Sequence, residues 1–361
     1  MTEAAIKINK LREQMVSEKT QTLRLKGVDW FSWATCGGRS TVIFTSELGV
    51  AEIFITATKA WVLTNKIEQD RLAQEEVPLE FEIMAFPWEQ ASLLEKFIQQ
   101  HSPGACYSDR PSGSEKLIPD SFRDLKLILG PEEIQRYRQV GRLAAEAMTE
   151  ALTKAEPDWS ENQLAGEGAR ALWTRGLDPA LVMVGSHRRC LLHRHPIAGS
   201  EKLGESAMMV FCARGFGLYA NLTRFIYFRP LTSDEERRFA MTLAVEAAAF
   251  HSSVPGKTLT ELFKEIAGAY RNLNCAVEVE RHHQGGPTGY LSREYVVSPE
   301  SPPQVKLSRG MALAWNPSLP GAKTEDTVLM SENGIEILTV DPHWPTTSFA
   351  ERSRPQVWVK S

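Results

Sequence analysis

Residues 282–290 read HHQGGPTGY. Two imidazoles run into a turn with three glycines and a proline, and a tyrosine closes it. A core strand rarely spends its residues this way, because glycine and proline weaken a ladder. The stretch therefore reads as a site. Histidine titrates near neutral pH, so a pair of imidazoles can take up a proton and return it if a partner fixes the tautomer. A second histidine-bearing stretch, GSHRRCLLHRHP, covers residues 185–196. On a strand, His193 and His195 share one face and raise the question of a metal pair, but Ile197, next on that face, favours a plain strand surface. His283 follows His282 directly and on a strand faces the other way. Other nucleophiles find little support. There is no Gly-x-Ser-x-Gly and no Gly-x-Gly-x-x-Gly, and Cys190 lies three residues from His193, which is not a strand-face spacing.

Elements must carry these groups to one place. The first hundred residues alternate: a helix over roughly 4–24, β-branched runs within STVIFTSELGVAEIFITATKAWVLT, and a helix near 88–100. The segment SPGACYSDRPSGSEKLIPD lacks periodicity and is rich in Pro, Gly and Ser, which marks a domain boundary in or just after it. A new pattern opens at Pro131, a residue suited to a first helical position, with Glu132 and Glu133 at the positive end of the helix dipole. Ile134, Tyr137, Ala144 and Met148 fall on one stripe. Ser160 and Gln163 form a capping box for a second helix that ends near Gly176. Strands ALVMV, MMVFCA and FIYF follow. Ser233 and Glu236 cap a third helix, LTELFKEIAGAYRNL makes a fourth, and strands run to the end. Two helices then strands, repeated, is an α+β domain with internal pseudo-symmetry.

The bulk composition sets outer bounds. The chain has 361 residues, 42% apolar and 24% charged, with net charge −4. That is ordinary globular composition with mass for two domains. No basic field is present to draw nucleic acid or an anionic membrane. No apolar run approaches the roughly 18–20 residues of a membrane span. The first twenty residues are charged throughout, so they read as a helix and not a signal peptide. Cys36, Cys106, Cys190, Cys212 and Cys275 are scattered with no CxxC, as expected of reduced thiols in a cytoplasm.

The order of landmarks resembles the pita-bread enzymes: methionine aminopeptidase, prolidase, aminopeptidase P and creatinase. The resemblance covers nearly the whole chain. In GSHRRCLLHRHP, His193 takes the place of the family histidine that faces the scissile group. In GLYANLTRF, Asn221 stands where metal-dependent members carry the second aspartate of Asp-x-Thr-Arg, while Thr223 and Arg224 match. The first aspartate, eleven residues upstream in the family, is Val210 here. In HHQGGPTGYLSRE, His282, Gly285, Gly289 and Glu294 match, Gly286 replaces the ligand histidine, and Arg293 replaces the substrate-handling histidine. In AWNPSLPGAKTEDT, Asn316 replaces the first glutamate, Lys323 replaces an arginine, and Glu325 and Asp326 are kept. Of the five family metal ligands only Glu325 remains. Creatinase works on this fold without metal, yet its two carboxylates correspond to Thr223 and Asn316, so creatine is not the expected substrate.

The resemblance implies an α+β chain: a creatinase-type N-terminal α/β domain over residues 1–122 and a pita-bread domain over 123–361. It implies a metal-independent, cytoplasmic hydrolase of a C–N bond in a small amino-acid-like or peptide-like substrate. No cofactor, nucleic acid or membrane is expected. His193 and His282 are the expected acid and base, with Glu325 orienting one of them. Arg224 or Arg293 is expected to hold a substrate carboxylate, and His283, Asn221, Asn316, Lys323, Tyr290 and Arg39 to complete the substrate surface. Two other readings stay open: a non-catalytic pseudopeptidase that binds a peptide or partner, and an Xaa-Pro aminopeptidase or dipeptidase with an altered metal site.

In family dimers the region matching WATCGGR, which ends at Arg39, reaches the neighbour's pocket. A homodimer is therefore expected, and two-fold pairing is also the commonest symmetry of soluble chains. Light scattering at micromolar concentration should return twice the chain mass; a monomer alone would take Arg39 out of the site.

Overall fold

The computed structural model describes residues 1–360. They form two compact units, Met1–Leu127 with Phe216–Leu218, and Ile128–Gly215 with Tyr219 onward. No helix among the described residues is long and apolar enough to cross a membrane.

The first unit is built on a six-stranded mixed sheet in the order Glu82–Phe86, Ala60–Asn65, Leu48–Thr56, Thr22–Gly27, Cys106–Ser108, Lys116–Leu117. The leading helix runs Glu3–Ser17 and stops well short of the expected residue 24. Lys19 sits in the left-handed region (φ 53°), which turns the chain out of the helix. Thr22–Gly27 then enters the sheet, fully buried. Leu23 and Leu25 lie opposite Ile55 and Ile53 on the next strand. Arg24 is buried there because Glu52, Glu95 and Glu115 surround its guanidinium.

The second unit has the repeated plan. Helices Pro131–Lys154 and Glu161–Trp173 precede a sheet of Asp178–Ser186, Ser206–Gly215 and Leu218–Tyr227, with Trp358–Val359 added at its edge. Helices Ser233–Ser252 and Leu259–Asn272 precede a second sheet, in the order Gly285–Thr288, Ala312–Trp315, Asp326–Ser331, Gly334–Ile337. The core explains the first pairing. Val140, Ala144, Ala147, Met148, Ala151 and Leu152 recur at helical spacing, and Ala207, Met209, Phe211 and Ala213 recur at strand spacing; all are buried in one cluster. The capping box at Ser160 forms as expected: its hydroxyl accepts from the Gln163 N–H at 3.2 Å, and the Gln163 side chain accepts from the Ser160 N–H at 2.7 Å. At the third helix the box sits one residue earlier than expected, on Thr232 and Glu235.

The two sheets meet along a short seam. Thr223 and Glu325 form a bridge, the Thr223 N–H donating to the Glu325 carbonyl at 3.1 Å. The Asn221 N–H donates to Thr327 Oγ1 at 2.7 Å, and that hydroxyl donates back to the Asn221 carbonyl at 3.0 Å. Behind the seam lies a buried ion network. Asp326 takes Arg224 on one oxygen at 2.8 Å and Arg354 on the other at 2.7 Å, and Arg354 also pairs with Glu246. Two cations thus balance two carboxylates out of water. Removing one member leaves charge buried and unmatched, a loss of about 3–5 kcal/mol. Arg354→Ala should lower unfolding stability by that amount in urea titration; an unchanged midpoint would show that the network contributes nothing.

Candidate functional site

Three histidines meet on the second unit. His282 is buried and ends the short 3-10 segment Ala276–Arg281. Its Nε2 lies 3.0 Å from Nε2 of His195, so one ring donates and the other accepts. The His283 ring stacks on His282 with centroids 4.8 Å apart, and the His195 ring lies edge-on to His282, also at 4.8 Å. The expectation that His283 faces away fails for a local reason. Residues 282–284 are not in a strand, which begins only at Gly285, so side chains need not alternate. Two ties fix this backbone. The Gln284 side chain donates to the His282 carbonyl and accepts from the Tyr270 hydroxyl at 2.9 Å, and Arg194 pairs with Glu278.

His193 is not part of this group. A helix over His187–Leu192, where a strand face was expected, ends at His193. The His193 N–H closes that helix on the Arg189 carbonyl at 2.8 Å, and its side chain is exposed. His195, two residues on, takes the position beside His282. The signal was present in the sequence as a second histidine at i+2, but the helix changes which of the two points inward.

All three clustered imidazoles are held neutral at pH 7. Burial pushes His282 down to about 2, with Lys323 and the neighbouring rings adding to the effect. Burial and then Arg293 bring His283 to about 4. His195 is lowered by burial and by Lys323.

The second feature is Glu325. Its carboxylate is buried and accepts from Arg293 Nη2 at 2.8 Å and the Thr223 hydroxyl at 2.8 Å, with Lys323 Nζ at 3.0 Å. Burial alone would raise its pKa, but Lys323, Arg293 and the Thr223 hydroxyl outweigh it and hold the group at about 2. A carboxyl depressed this way contributes stability that is present above the usual glutamate pKa and is lost as pH falls toward 2. Arg293 Nε is buried without an acceptor among the described residues, so this guanidinium keeps donor capacity. Cys212 lies within electrostatic reach of the same groups, and burial, with Glu325 adding, pushes its thiol to about 11. It is therefore protonated at neutral pH and not a nucleophile. A cavity of about 400 Å³ is lined by Thr223, Lys323, Phe225, Phe239, Leu243 and Phe349.

Several expected substrate contacts are committed elsewhere. Arg224 points away from Glu325's carboxylate to Asp326 and to the Thr339 carbonyl. Tyr290 is buried and donates to Glu133 at 2.6 Å, which makes it a strut for the helix Pro131–Lys154. Asn221 donates to Thr288 at 3.1 Å, while its Oδ1, like that of Asn316, is buried without a partner among the described residues. Arg39 belongs to the first unit, where its backbone N–H donates to Glu76 at 2.6 Å.

Residues 135–332 match the model of metallopeptidase family M24. The chain belongs to that family. The Xaa-Pro dipeptidase of Pyrococcus furiosus is 24% identical over 237 residues, which span 62% of this chain and 66% of that protein. Among solved structures, the prolidase from Pyrococcus furiosus superposes with a TM-score of 0.77 at 17% identity, over 92% of this chain and all of that one (100%). The prolidase from Thermococcus sibiricus superposes with a TM-score of 0.80 at 13% identity, over 100% of both chains. The fold is the two-domain pita-bread fold, and this M24 chain is a divergent member.

The divergence is sharpest where M24 enzymes hold two metal ions. Val210 is buried in an apolar cluster with Met183, Met208, Phe225 and Tyr227. Gly286 has φ +148°, and a Cβ there would sit 2.4 Å from the Tyr295 carbonyl oxygen. The ligand histidine is thus not merely exchanged; the backbone has closed over its place. Glu325, the one retained ligand, already carries two cations. One neutralised carboxylate and two amides do not fit a pair of divalent ions, which need several anionic oxygens. Gly286→His should therefore unfold at lower denaturant and gain no Mn²⁺ or Co²⁺ in an elemental assay. A variant as stable as the parent and loaded with metal would show that this backbone opens.

Proposed function

We propose that this M24 chain hydrolyses a C–N bond in a small amino-acid-like or peptide-like molecule, without the dinuclear centre of its family. The observation that carries the reading is the hydrogen-bonded imidazole pair of His195 and His282 on the unit that also holds the Glu325 ion cluster. Hydrolysis adds water across the bond. The oxygen attacks the carbonyl carbon, a base takes the water proton, and that proton must reach the departing nitrogen. Two rings sharing one hydrogen bond can do both: the ring that donates its Nε2–H has a free Nδ1 lone pair to take the water proton, and its neighbour, receiving the Nε2 proton, passes one on to the departing nitrogen. Arg293 supports a substrate carboxylate chiefly by its charge and its spare Nε, since one Nη donates to Glu325 and the other to the Ser292 carbonyl while Nε has no acceptor among the described residues. Lys323 uses one of three donors on Glu325. The cavity beside Thr223 and Lys323 has apolar walls that suit the remainder of the molecule.

The second imidazole role passes from His193 to His195 on this reading, because His193 is exposed at a helix end. A binding-only reading draws on the commitment of Glu325 to two cations, which leaves no free carboxylate beside the rings. A screen of Xaa-Pro dipeptides, small amides and amidines in the presence of chelator separates the two. Turnover that survives the chelator is expected, with His282→Ala and His195→Ala each lowering kcat by roughly 10²–10⁴-fold. His193→Ala should turn over at the parent rate. No turnover of any substrate, with peptide binding retained, would leave the pseudopeptidase reading; turnover abolished by the chelator and restored by two equivalents of Mn²⁺ would return the chain to the ordinary metallopeptidases.

A further inference from the structure

We infer that His195, His282 and His283 form a mononuclear site for a borderline transition-metal ion of the Zn²⁺ class. One nitrogen from each ring lies within 4.8 Å of the others. Two imidazole nitrogens on a tetrahedral ion, at the usual Zn–N distance, are roughly 3.3 Å apart. The Nε2 pair of His195 and His282 is already at 3.0 Å, so small ring rotations bring all three donors onto one ion. The site shares no residue with the five family ligand positions, none of which supplies an imidazole here.

Two further observations point to a ligand. His282 is 6% exposed and its ring is held through Nε2 alone, so its Nδ1, without a partner among the described residues, can carry the ring proton while Nε2 meets an ion. Its single polar contact is the opposing imidazole, whereas a buried structural histidine is normally held on both nitrogens. His195 and His283 keep exposed edges at the rim of the cluster, although the surrounding protein desolvates both rings, so an ion can enter from solvent while His282 anchors it from below. The donor set decides the class. Three imidazoles with no carboxylate suit Zn²⁺, Cu²⁺, Ni²⁺ or Co²⁺, and exclude Mg²⁺ and Ca²⁺. Three protein ligands leave a fourth position open. Lys323, Arg293 and Glu325 all interact electrostatically with these rings, two cations against one anion, so an anionic fourth ligand such as hydroxide or a carboxylate completes the charge.

Binding requires that the ring donating its Nε2–H change tautomer, its proton passing to Nδ1, so that both neutral rings offer an Nε2 lone pair to the ion. The ion takes the same lone pairs that the acid–base reading uses, so Zn²⁺ loading should silence that chemistry, whereas failure of the site would leave the hydrolase reading standing. The test uses the full chain, stripped with chelator and dialysed against Zn²⁺ alone, with Co²⁺ as a spectroscopic stand-in. One ion per chain is expected by elemental analysis, and visible absorption bands from a low-symmetry Co²⁺ complex. His282→Ala risks misfolding, so the two exposed ligands carry the comparison. His195→Ala and His283→Ala should each weaken Zn²⁺ by roughly 100-fold or more, beyond what loss of an outer-shell contact costs. His343→Ala, at an exposed ring paired with Asp341, should bind as the parent does. A parent chain that takes up no Zn²⁺, or an ion retained with parent affinity in either ligand variant, overturns the site.

Discussion

Neutralising Asp326 is the constraint on which the second unit rests. Its carboxylate is fully buried at the place where the two sheets meet, and it is matched by Arg224 from one sheet and Arg354 from the chain's final segment. An unpaired charge there would cost several kcal/mol, so both guanidinium groups must be in place together. That requirement aligns Leu218–Tyr227 against Asp326–Ser331 in one register. The same register sets Thr223 against Glu325 and so builds the ion cluster facing the cleft. Core packing fills the layers, but this seam sets where the functional side chains stand.

Glu325 stands against side-chain cations where the family resemblance places metal ions. M24 enzymes offset clustered carboxylates with two metal ions; here a single carboxylate is offset by Arg293 and Lys323. The exchange is consistent across positions. Val210 packs among apolar side chains, and the Gly286 backbone occupies the room that a ligand side chain would need. These changes support one another, because an aspartate at 210 without metal would be an unmatched buried charge.

The sequence disclosed the architecture more fully than the site. Helix periodicity, the Ser160 capping box and the repeated order of helices and strands all carry local signals, and they appear in the fold as read. The sequence singled out His282 but paired it with His193, whereas the fold sets it against His195 and His283. What was not legible depends on direction. A six-residue helix, His187–Leu192, exchanges His193 for His195, and nothing in its composition announces it. His283 joins the cluster because the strand starts two residues later than its glycine-rich pattern suggests. Arg224, on its strand, and Tyr290, in the bend after Thr288, aim at Asp326 and Glu133, partners 102 and 157 residues distant. Distance in sequence hides such pairings, and only the folded seam selects them.

Arg354 acts as a latch on the seam. It lies just before Trp358–Val359, which adds an edge strand beside Leu218–Tyr227, and it reaches back to Glu246, 108 residues earlier, and to Asp326. Without it the seam would enclose the Arg224 guanidinium against two carboxylates. One side chain therefore fastens three separate stretches of the second unit to one another.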